Sequence, residues 1–381
     1  MFQCFLEAYP WDLVGDDLDA VLDQLHGGVG VTGLSLWLGV PPLAEFRVRD
    51  RHPRIFNTRG GLFFHPDLAR YEKTRLKPVV SDWLDKRRPL ERLTDACATR
   101  GMSLRAVISA SQTGRLLKRH PEMTSKNAFG DQSGMALCLA NPDVQSYLGS
   151  LLSDLTTHDG LSAVALADFA IHWPDAWSTR IRWPASVGRT EQTLLSICFC
   201  ESCQQGAAGA GVDIDMARRS VRTRLQKAFD TATSAGDGVE SALADDRPLA
   251  DFAAWRASTL STLLTRLVES CRCDLLVHRP HRGSGCPASA DPDGALPAGV
   301  ITELDDPDDL DDALCKQARR NEFRLDRNFA LTVGAPDLVK LFSRAVELGF
   351  AAADVHHYGS LSDAALDPVR QAIRFARRVA D

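Results

Sequence analysis

The sequence predicts an α/β protein built as a (β/α)8 TIM barrel. Eight short apolar runs alternate with amphipathic helical stretches along the 381 residues. Near-continuous apolar runs suit strands that are covered on both faces, as in a parallel sheet. Long segments follow the second and fourth runs, at about 39–88 and 169–213, and barrel enzymes place their active sites in such loops. We expect one barrel domain over 1–381 with these two insertions, and a doubly wound sheet is the alternative.

Strands and helices follow one another in a regular order. The predicted strands are Met1–Glu7, Val31–Trp37, Leu104–Ala110, Leu161–Asp168, Cys273–His278, Gly299–Glu303, Phe329–Val333 and Ala351–His356. Helices with one apolar face are predicted over Asp16–Leu25, Leu90–Thr99, Val144–Leu155, Asp213–Ala232, Leu249–Ser270, Pro307–Arg320, Pro336–Leu348 and Leu361–Val379. Asn141-Pro142 is typical of a helix start, because Pro is tolerated in the first turn. Residues 279–298 are rich in Pro, Gly and Ser, so we expect a degenerate barrel with one helix missing between strands five and six.

Charge and motifs exclude several classes of partner. The net charge is −6, from 44 Lys and Arg against 50 Asp and Glu, so the chain lacks the basic field that attracts nucleic acid or an anionic membrane. No apolar run approaches the roughly 18 residues of a transmembrane helix, and no basic segment opens the chain. We therefore expect a cytoplasmic protein. Neither GxxxxGK[ST] nor GxGxxG is present, so no nucleotide cofactor is expected.

A cluster of cysteines is the strongest chemical signal in the sequence. Cys198, Cys200 and Cys203 form a C-x-C-x-x-C run, a spacing at which three thiolates can converge on one soft cation. A structural site needs four ligands, and Cys138, just past strand three and its loop, is the best fourth candidate. The cysteines therefore either hold a structural zinc ion or are buried free thiols, which are common in protein cores.

These motifs resemble those of a known family. A strand that ends in an acid, the C-x-C-x-x-C run and the upstream Cys138-x-x-Asn141-Pro142 look like the zinc-bearing β-galactosidases of glycoside hydrolase family 42, and like a broader set of glycoside-hydrolase-like barrels. The resemblance implies a structural zinc held by Cys138, Cys198, Cys200 and Cys203. It does not extend to the family's catalytic residues. The fourth strand here ends in Ala167-Asp168 instead of Asn-Glu, and the predicted seventh strand has no Glu, so neither activity nor sugar specificity is implied.

Acidic residues at strand ends are the candidate catalytic groups. Hydrolysis of a glycosidic bond needs two carboxyl groups, one protonated and one ionised. Asp168 ends strand four and Glu303 ends strand six, and several barrel glycosidases take a nucleophile and an acid from these strands. We expect Asp168 to be the nucleophile and Glu303 the acid/base. Alternatively, Asp168 is a capping or salt-bridged residue, and Glu303 opens a solvated acidic helix start.

Aromatic and polar residues cluster at the same predicted face. Sugar sites stack rings on aromatic side chains and bind hydroxyl groups with polar ones. The candidate substrate-binding residues are Glu7, Tyr9, Trp11, Trp37, His172, Trp173, His278, His356, His357 and Tyr358. Large side chains that plug the barrel are the alternative explanation for each of them.

The sequence therefore predicts a glycoside hydrolase that acts on a carbohydrate, either a small molecule or an oligosaccharide. Two alternatives stay open: a carbohydrate-binding barrel without activity, and a metal-dependent lyase or isomerase that uses His278, His281, His356 and His357 with Asp168. The sequence also leaves a homo-oligomer open.

Overall fold

Eight parallel strands close into a barrel in the computed structural model, which confirms the predicted TIM barrel. The model describes residues 2–14, 17–49, 53–111, 113–169, 182–184, 187–231, 246–280, 298–304, 310, 320–325 and 335–380. The barrel strands are β1 Gln3–Ala8, β2 Gly33–Val40, β3 Ser103–Ser109, β4 Leu161–Ala167, β5 Asp274–Pro280, β6 Gly299–Leu304, β7 Asn321–Leu325 and β8 Ala352–Val355. Each strand pairs in parallel with the next, and β8 pairs with β1 to close the ring.

The seventh strand is not the one that the sequence predicts. Phe329–Val333 lies outside the described residues, whereas β7 pairs with β6 and β8 along its whole length, so the predicted strand is wrong. Glu322 and Arg324 alternate with apolar residues in β7. A strand with charged residues on its inner face does not appear as an apolar run, which explains the error.

Helices surround the barrel, and most of them lie where the sequence predicts. They are α1 Pro10–Leu13, α2 Leu18–Asp23, α3 Pro89–Ala98, α4 Gly114–Arg119, α5 Pro142–Leu155, α6 Arg189–Ser196, α7 Glu201–Gly209, α8 Ile214–Thr231, α9 Arg247–Ser270, α10 Ala335–Glu347 and α11 Asp363–Ala380. The Asn141 side chain accepts hydrogen bonds from the first-turn amides of α5. The predicted helix Pro307–Arg320 and the missing helix after β5 fall largely on residues outside the described ranges. Among the helices that are described, none combines the length and apolarity that a bilayer crossing requires.

The barrel interior is polar, whereas its outer layer is apolar. Alternate residues such as Cys4, Leu6 and Ala8 belong to the main hydrophobic core. On the inner side, Arg105 donates to Glu322 at 2.7 Å, lies 3.7 Å from an Asp354 oxygen and covers the Phe5 ring at 3.5 Å. These three charged side chains are fully buried. They form a charged layer across the barrel, below the carboxyl ends of the strands.

The insertion after β2 builds one wall of the barrel mouth. A hairpin of Leu43–Phe46 and Ile55–Thr58 follows β2, and Gly61–Leu62 then pairs antiparallel with β2. Gly60 connects the two at a φ of 74°, where an added Cβ would lie 2.7 Å from the Val40 carbonyl oxygen. Only glycine fits this turn without strain. The turn brings the hairpin back over the carboxyl ends of the barrel strands.

Candidate active site

Arg324 is the centre of a hydrogen-bonded network at the carboxyl end of the barrel. Its guanidinium forms a two-point ion pair with Glu7 and donates to Glu303 at 2.6 Å. The remaining contacts to Glu7 come from the Trp37 indole at 3.0 Å and His356 Nδ1 at 2.6 Å. This cluster thus brings together side chains from β1, β2, β6 and β7 and from the residue after β8, as the strand-end positions predict.

The charge state of this network is set by burial and by Arg324. Burial raises the pKa of Glu7, but Arg324 and His356 outweigh it and hold that pKa well below its ordinary value. Burial, assisted by Arg324, lowers the pKa of His278 to about 3. Glu7 is therefore ionised and His278 neutral at pH 7. Glu303 is the exposed carboxylate of the network, with 27% of its side chain accessible against 0% for Glu7.

An aromatic wall lies beside this network. The Tyr9 and Trp11 rings stack at 4.4 Å, and Phe56 from the hairpin stacks on the other side of Trp11 at 4.4 Å. The Trp11 indole donates to Glu45 at 3.0 Å, and Glu45 pairs with His357. Tyr9, Trp11 and His357 are buried, so they form the supporting wall of the mouth. The alternative interpretation of these residues, as large side chains that fill the barrel end, fits their burial.

Asp168 lies directly after β4 in a strained backbone conformation. Its φ is 52°, in the left-handed region that is costly for residues other than glycine. One carboxylate oxygen accepts the amides of Ala110 and Ser111 at 2.7 and 3.0 Å, and the other accepts the Ser109 hydroxyl at 2.6 Å. These bonds tie the ends of β3 and β4 together and fix the carboxylate in one orientation. They agree with the capping role that the sequence left open and with a fixed catalytic carboxylate.

The structure brings most of the predicted substrate-binding residues together, but not all of them. Glu7, Tyr9, Trp11, Trp37, His278, His356 and His357 lie at the mouth. Tyr358 is buried with its ring under the Arg49 guanidinium, 4.5 Å away. His172, Trp173 and His281 lie outside the described residues. Sequence reasoning missed Arg324 because its strand was misplaced. It missed Glu45 because the partner side chains, Trp11 and His357, are remote in sequence.

The histidines do not converge on one point within the described part of the chain. His356 contacts Glu7, whereas His357 contacts Glu45. The one histidine whose ligand atom lies near two carboxylates is His357, beside Asp12 and Glu45. Arg47 already pairs with Asp12 at 3.1 Å, and Trp11 and His357 bind Glu45, so both carboxylates have protein partners. The described geometry therefore gives no support to a catalytic metal held by several histidines.

The four predicted cysteine ligands come together as a separate cluster. The sulfurs of Cys138, Cys198, Cys200 and Cys203 all lie within 4.8 Å of one another and are buried. Cys138 follows a hairpin of Thr124–Lys126 and Gln132–Leu137, and the other three lie at the start of α7. An apolar cluster distinct from the barrel core surrounds them, with members from α6, α8 and α9. The sulfurs thus join the loop after β3 and the segment after β4 to the long helical pair.

Asp354 is a buried carboxyl group below the Arg324 network. It accepts the Ser35 hydroxyl at 2.7 Å. Burial and the negative charge of Glu7 raise its pKa to about 7, although Arg105 and Ser35 oppose the shift. Because the ordinary pKa of Asp is near 3.9, the unfolded chain loses this proton first as the pH rises. Wild-type stability therefore contains an Asp354 contribution that is complete below about pH 4 and is lost as the pH rises to about 7.

We expect Asp354→Asn to become more stable than the wild type as the pH rises. The difference in unfolding free energy should grow between pH 4 and pH 7 and reach about 2–4 kcal/mol. Urea unfolding at a series of pH values measures it. Ser35→Ala is the matched control, since it removes the hydrogen bond but leaves the ionisable group, and so should still lose stability as the pH rises, with the loss extending to slightly higher pH than in the wild type. A difference that stays constant with pH would mean that Asp354 is ionised throughout.

Comparison with known proteins shows the fold of this chain. No protein-family model and no curated protein matches it. Among solved structures, the glycoside hydrolase domain of PgaB (BpsB) from Bordetella bronchiseptica matches with a TM-score of 0.55 and 12% identity, over 98% of this chain and 99% of that one. An α-L-fucosidase from Paenibacillus thiaminolyticus matches with a TM-score of 0.52 and 10% identity, over 99% of this chain. A β-galactosidase from Marinomonas ef1 gives 0.51 and 12%, also over 99%.

The chain spans 49% of the fucosidase and 59% of the Marinomonas β-galactosidase. At these identities the likeness shows the barrel alone. It confirms the predicted resemblance to glycoside-hydrolase-like TIM barrels at the level of the fold, and it leaves the reaction to be argued from the site.

Proposed function

We propose that this protein is a glycoside hydrolase whose catalytic carboxyl groups are Asp168 and Glu303. The geometry of Asp168 carries the proposal. It is a strained residue other than glycine at the carboxyl end of a barrel strand, and its carboxylate is fixed by Ser109 and two backbone amides. Backbone strain concentrates at functional sites, and these donors favour the ionised form. An ionised, oriented carboxylate can attack an anomeric carbon or activate a water beside it.

Glu303 is the natural partner of Asp168 in this reaction. Strands β4 and β6 both pair with β5, so their backbones are about 10 Å apart at a strand spacing of roughly 4.8 Å. Carboxyl groups on strands at this spacing can approach the separations of about 5–9.5 Å that glycosidases use if the side chains turn towards one another. The partly exposed Glu303 can reach the leaving oxygen of a bound glycoside, give it a proton and later take one from water.

The surrounding residues suit a sugar ring. Trp37 presents an indole beside His278, whose ring lies edge-on to it at 6.4 Å. The His278 imidazole is neutral, and its buried Nε2 forms no hydrogen bond within the described part of the chain. A neutral imidazole can donate to one hydroxyl and accept from another. The structural neighbours include an α-L-fucosidase and a β-galactosidase, which supports a carbohydrate substrate.

We also propose that the four cysteines hold a structural zinc ion. Tetrahedral coordination at about 2.3 Å places sulfurs about 3.8 Å apart, and the Cys138 and Cys203 sulfurs are separated by 3.5 Å. The Lys126 amide lies 3.4 Å from the Cys198 sulfur, and the buried Arg256 guanidinium donates to Cys203 at 3.0 Å. Four thiolates and Zn²⁺ carry a net charge of −2, which these donors partly offset. When bound, the ion would join the loop after β3 and the segment after β4 to the helical pair and take no part in hydrolysis.

A panel of chromogenic α- and β-glycosides, including fucosides, galactosides and N-acetylglucosaminides, tests the proposed hydrolase. We expect turnover of at least one of them by the purified protein, lost in Asp168→Asn. Proton NMR of the first-formed anomer then separates retention from inversion. Saturable sugar binding without turnover would identify the protein as a carbohydrate-binding barrel instead.

A further inference from the structure

Arg324 is shared between two carboxylates that differ in exposure. Its Nε and Nη2 atoms bind the two oxygens of Glu7, and its Nη1 atom donates to Glu303 at 2.6 Å. Glu7 is fully buried, whereas Glu303 is the partly exposed member of the trio. The guanidinium therefore presents two donors to a buried partner and a single donor to the proposed acid/base.

An acid/base residue next to an arginine poses a physical problem. A cation at hydrogen-bond distance favours the ionised carboxylate by about 1–3 pKa units. A general acid must instead keep its proton near neutral pH. With Arg324 alone beside it, Glu303 would lose the proton that the leaving oxygen needs.

Glu7 resolves this conflict. Its charge is permanent at neutral pH, because Arg324 and His356 hold its pKa low despite burial. The bidentate ion pair between Glu7 and Arg324 is close to neutral as a unit. Glu303 then receives one N–H hydrogen bond without a full uncompensated positive charge.

We infer that Glu7 is a positioning residue that neutralises Arg324 and thereby lets Glu303 carry the catalytic proton. The inference rests on the proposed function and adds a role for Glu7 other than contact with the sugar. Glu7 acts through Arg324, since Glu7 has no accessible surface through which to touch a substrate.

The other charged and titratable groups near Glu303 do not alter the compensation of the Arg324 charge by Glu7. On β5, His278 is neutral at pH 7 because burial lowers its pKa to about 3. On β7, Glu322 is bound by Arg105 and Arg320. After β8, His356 contacts Glu7, and Asp354 on β8 lies deeper, beside Ser35. After β4, Asp168 is bound by Ser109 and the amides of Ala110 and Ser111, and Glu45 in the wall of the mouth is bound by Trp11 and His357. Arg324 is the cation that the structure shows in contact with Glu303.

The first test is the pH dependence of kcat/KM for the best glycoside of the panel. Glu7→Gln leaves the Arg324 charge uncompensated, so the alkaline limb of the profile should move down by about one pH unit or more. Glu7→Asp keeps the charge and is the matched control, with the limb expected within about 0.3 units of the wild type. A limb that does not move in Glu7→Gln overturns the inference.

A second measurement follows the protonation of the Glu303 carboxyl group and does not rely on turnover. In protein labelled with ¹³C at the glutamate carboxyls, the Glu303 resonance is the one lost in Glu303→Gln. We expect its titration midpoint to be at least about one unit lower in Glu7→Gln than in the wild type. This shift without any glycoside turnover would support the inference and count against the proposed hydrolase. Turnover without the shift would do the reverse.

Should Glu7→Gln fail to fold, the double variant Glu7→Gln/Arg324→Gln still tests the inference. It replaces the ion pair by two neutral side chains, so the net charge beside Glu303 changes little. A Glu303 midpoint within about 0.5 units of the wild type supports the inference. A midpoint raised by about one unit or more shows that Arg324 acts on Glu303 as an uncompensated cation, and overturns it.

Discussion

Asp168→Asn is expected to lower kcat/KM for the best glycoside by about 10³-fold or more, whatever the leaving group. The amide cannot form the bond to the anomeric carbon or activate a water there. The substitution should nevertheless preserve the fold. An Asn oxygen can still accept the Ala110 and Ser111 amides, and its NH₂ group can donate to the Ser109 hydroxyl oxygen. Steady-state kinetics with a series of aryl glycosides provides the measurement.

Ser109→Ala is the matched control, because it removes one hydrogen bond to Asp168 but keeps the carboxylate. We expect a loss of about tenfold and a thermal midpoint within a few degrees of the wild type. If Asp168 is only a cap between β3 and β4, Asp168→Asn will instead leave kcat per folded molecule unchanged. That outcome would remove Asp168 from the mechanism.

Glu303→Gln should show a different signature, which separates the two proposed roles. A residue that protonates the leaving oxygen matters least when the leaving group is already acidic. We therefore expect a loss of about 10²–10⁴-fold for alkyl glycosides and a much smaller loss for dinitrophenyl glycosides. An equal loss across the series would assign Glu303 to binding.

The sequence predicts the barrel and the carboxyl-end location of the site, because both follow from local patterns. Outward-facing residues such as Leu34, Leu36 and Leu38 make β2 an apolar run, and barrel strands expose their ends on one face. Seven of the eight strands are recognised on this basis. The exception is β7. Glu322 and Arg324 occupy its inner positions, so its sequence looks like a polar segment and not like a strand.

The pairing of side chains across the mouth could not be predicted in this way. Arg324 and Glu7 are separated by 317 residues and Trp11 and Glu45 by 34. Neither pair has a local pattern, because only closure of the barrel places the partners together. The environment of Asp168 has the same origin, since its donors lie on the neighbouring strand end. Three of the cysteines are the exception: thiol side chains at close spacing have few structural uses, so residue type and spacing alone bring Cys198, Cys200 and Cys203 into one predicted site.

Loss of one thiolate should remove the metal and destabilise the second core. We expect Cys198→Ser, purified under reducing conditions, to lose about one equivalent of zinc per chain and several kcal/mol of unfolding free energy, since metal affinity contributes directly to folding. The loss should be local, because the apolar cluster around the sulfurs is distinct from the barrel core. Elemental analysis, with hydrogen exchange across α7, α8 and α9, measures both effects.

Cys97→Ser provides the matched control for this effect, because Cys97 is equally buried on α3 but belongs to the barrel core. Its substitution should cost about 1–2 kcal/mol, as expected for a buried polar change, and leave the zinc content unaltered. Chelation of the wild type should reproduce the Cys198→Ser exchange pattern and leave that of Cys198→Ser unchanged. Wild-type protein without bound metal, together with equal costs for Cys198→Ser and Cys97→Ser, would mean that the four sulfurs are buried free thiols. In that case, packing of Phe199 and Phe252, which stack at 5.2 Å, would stabilise this region without an ion.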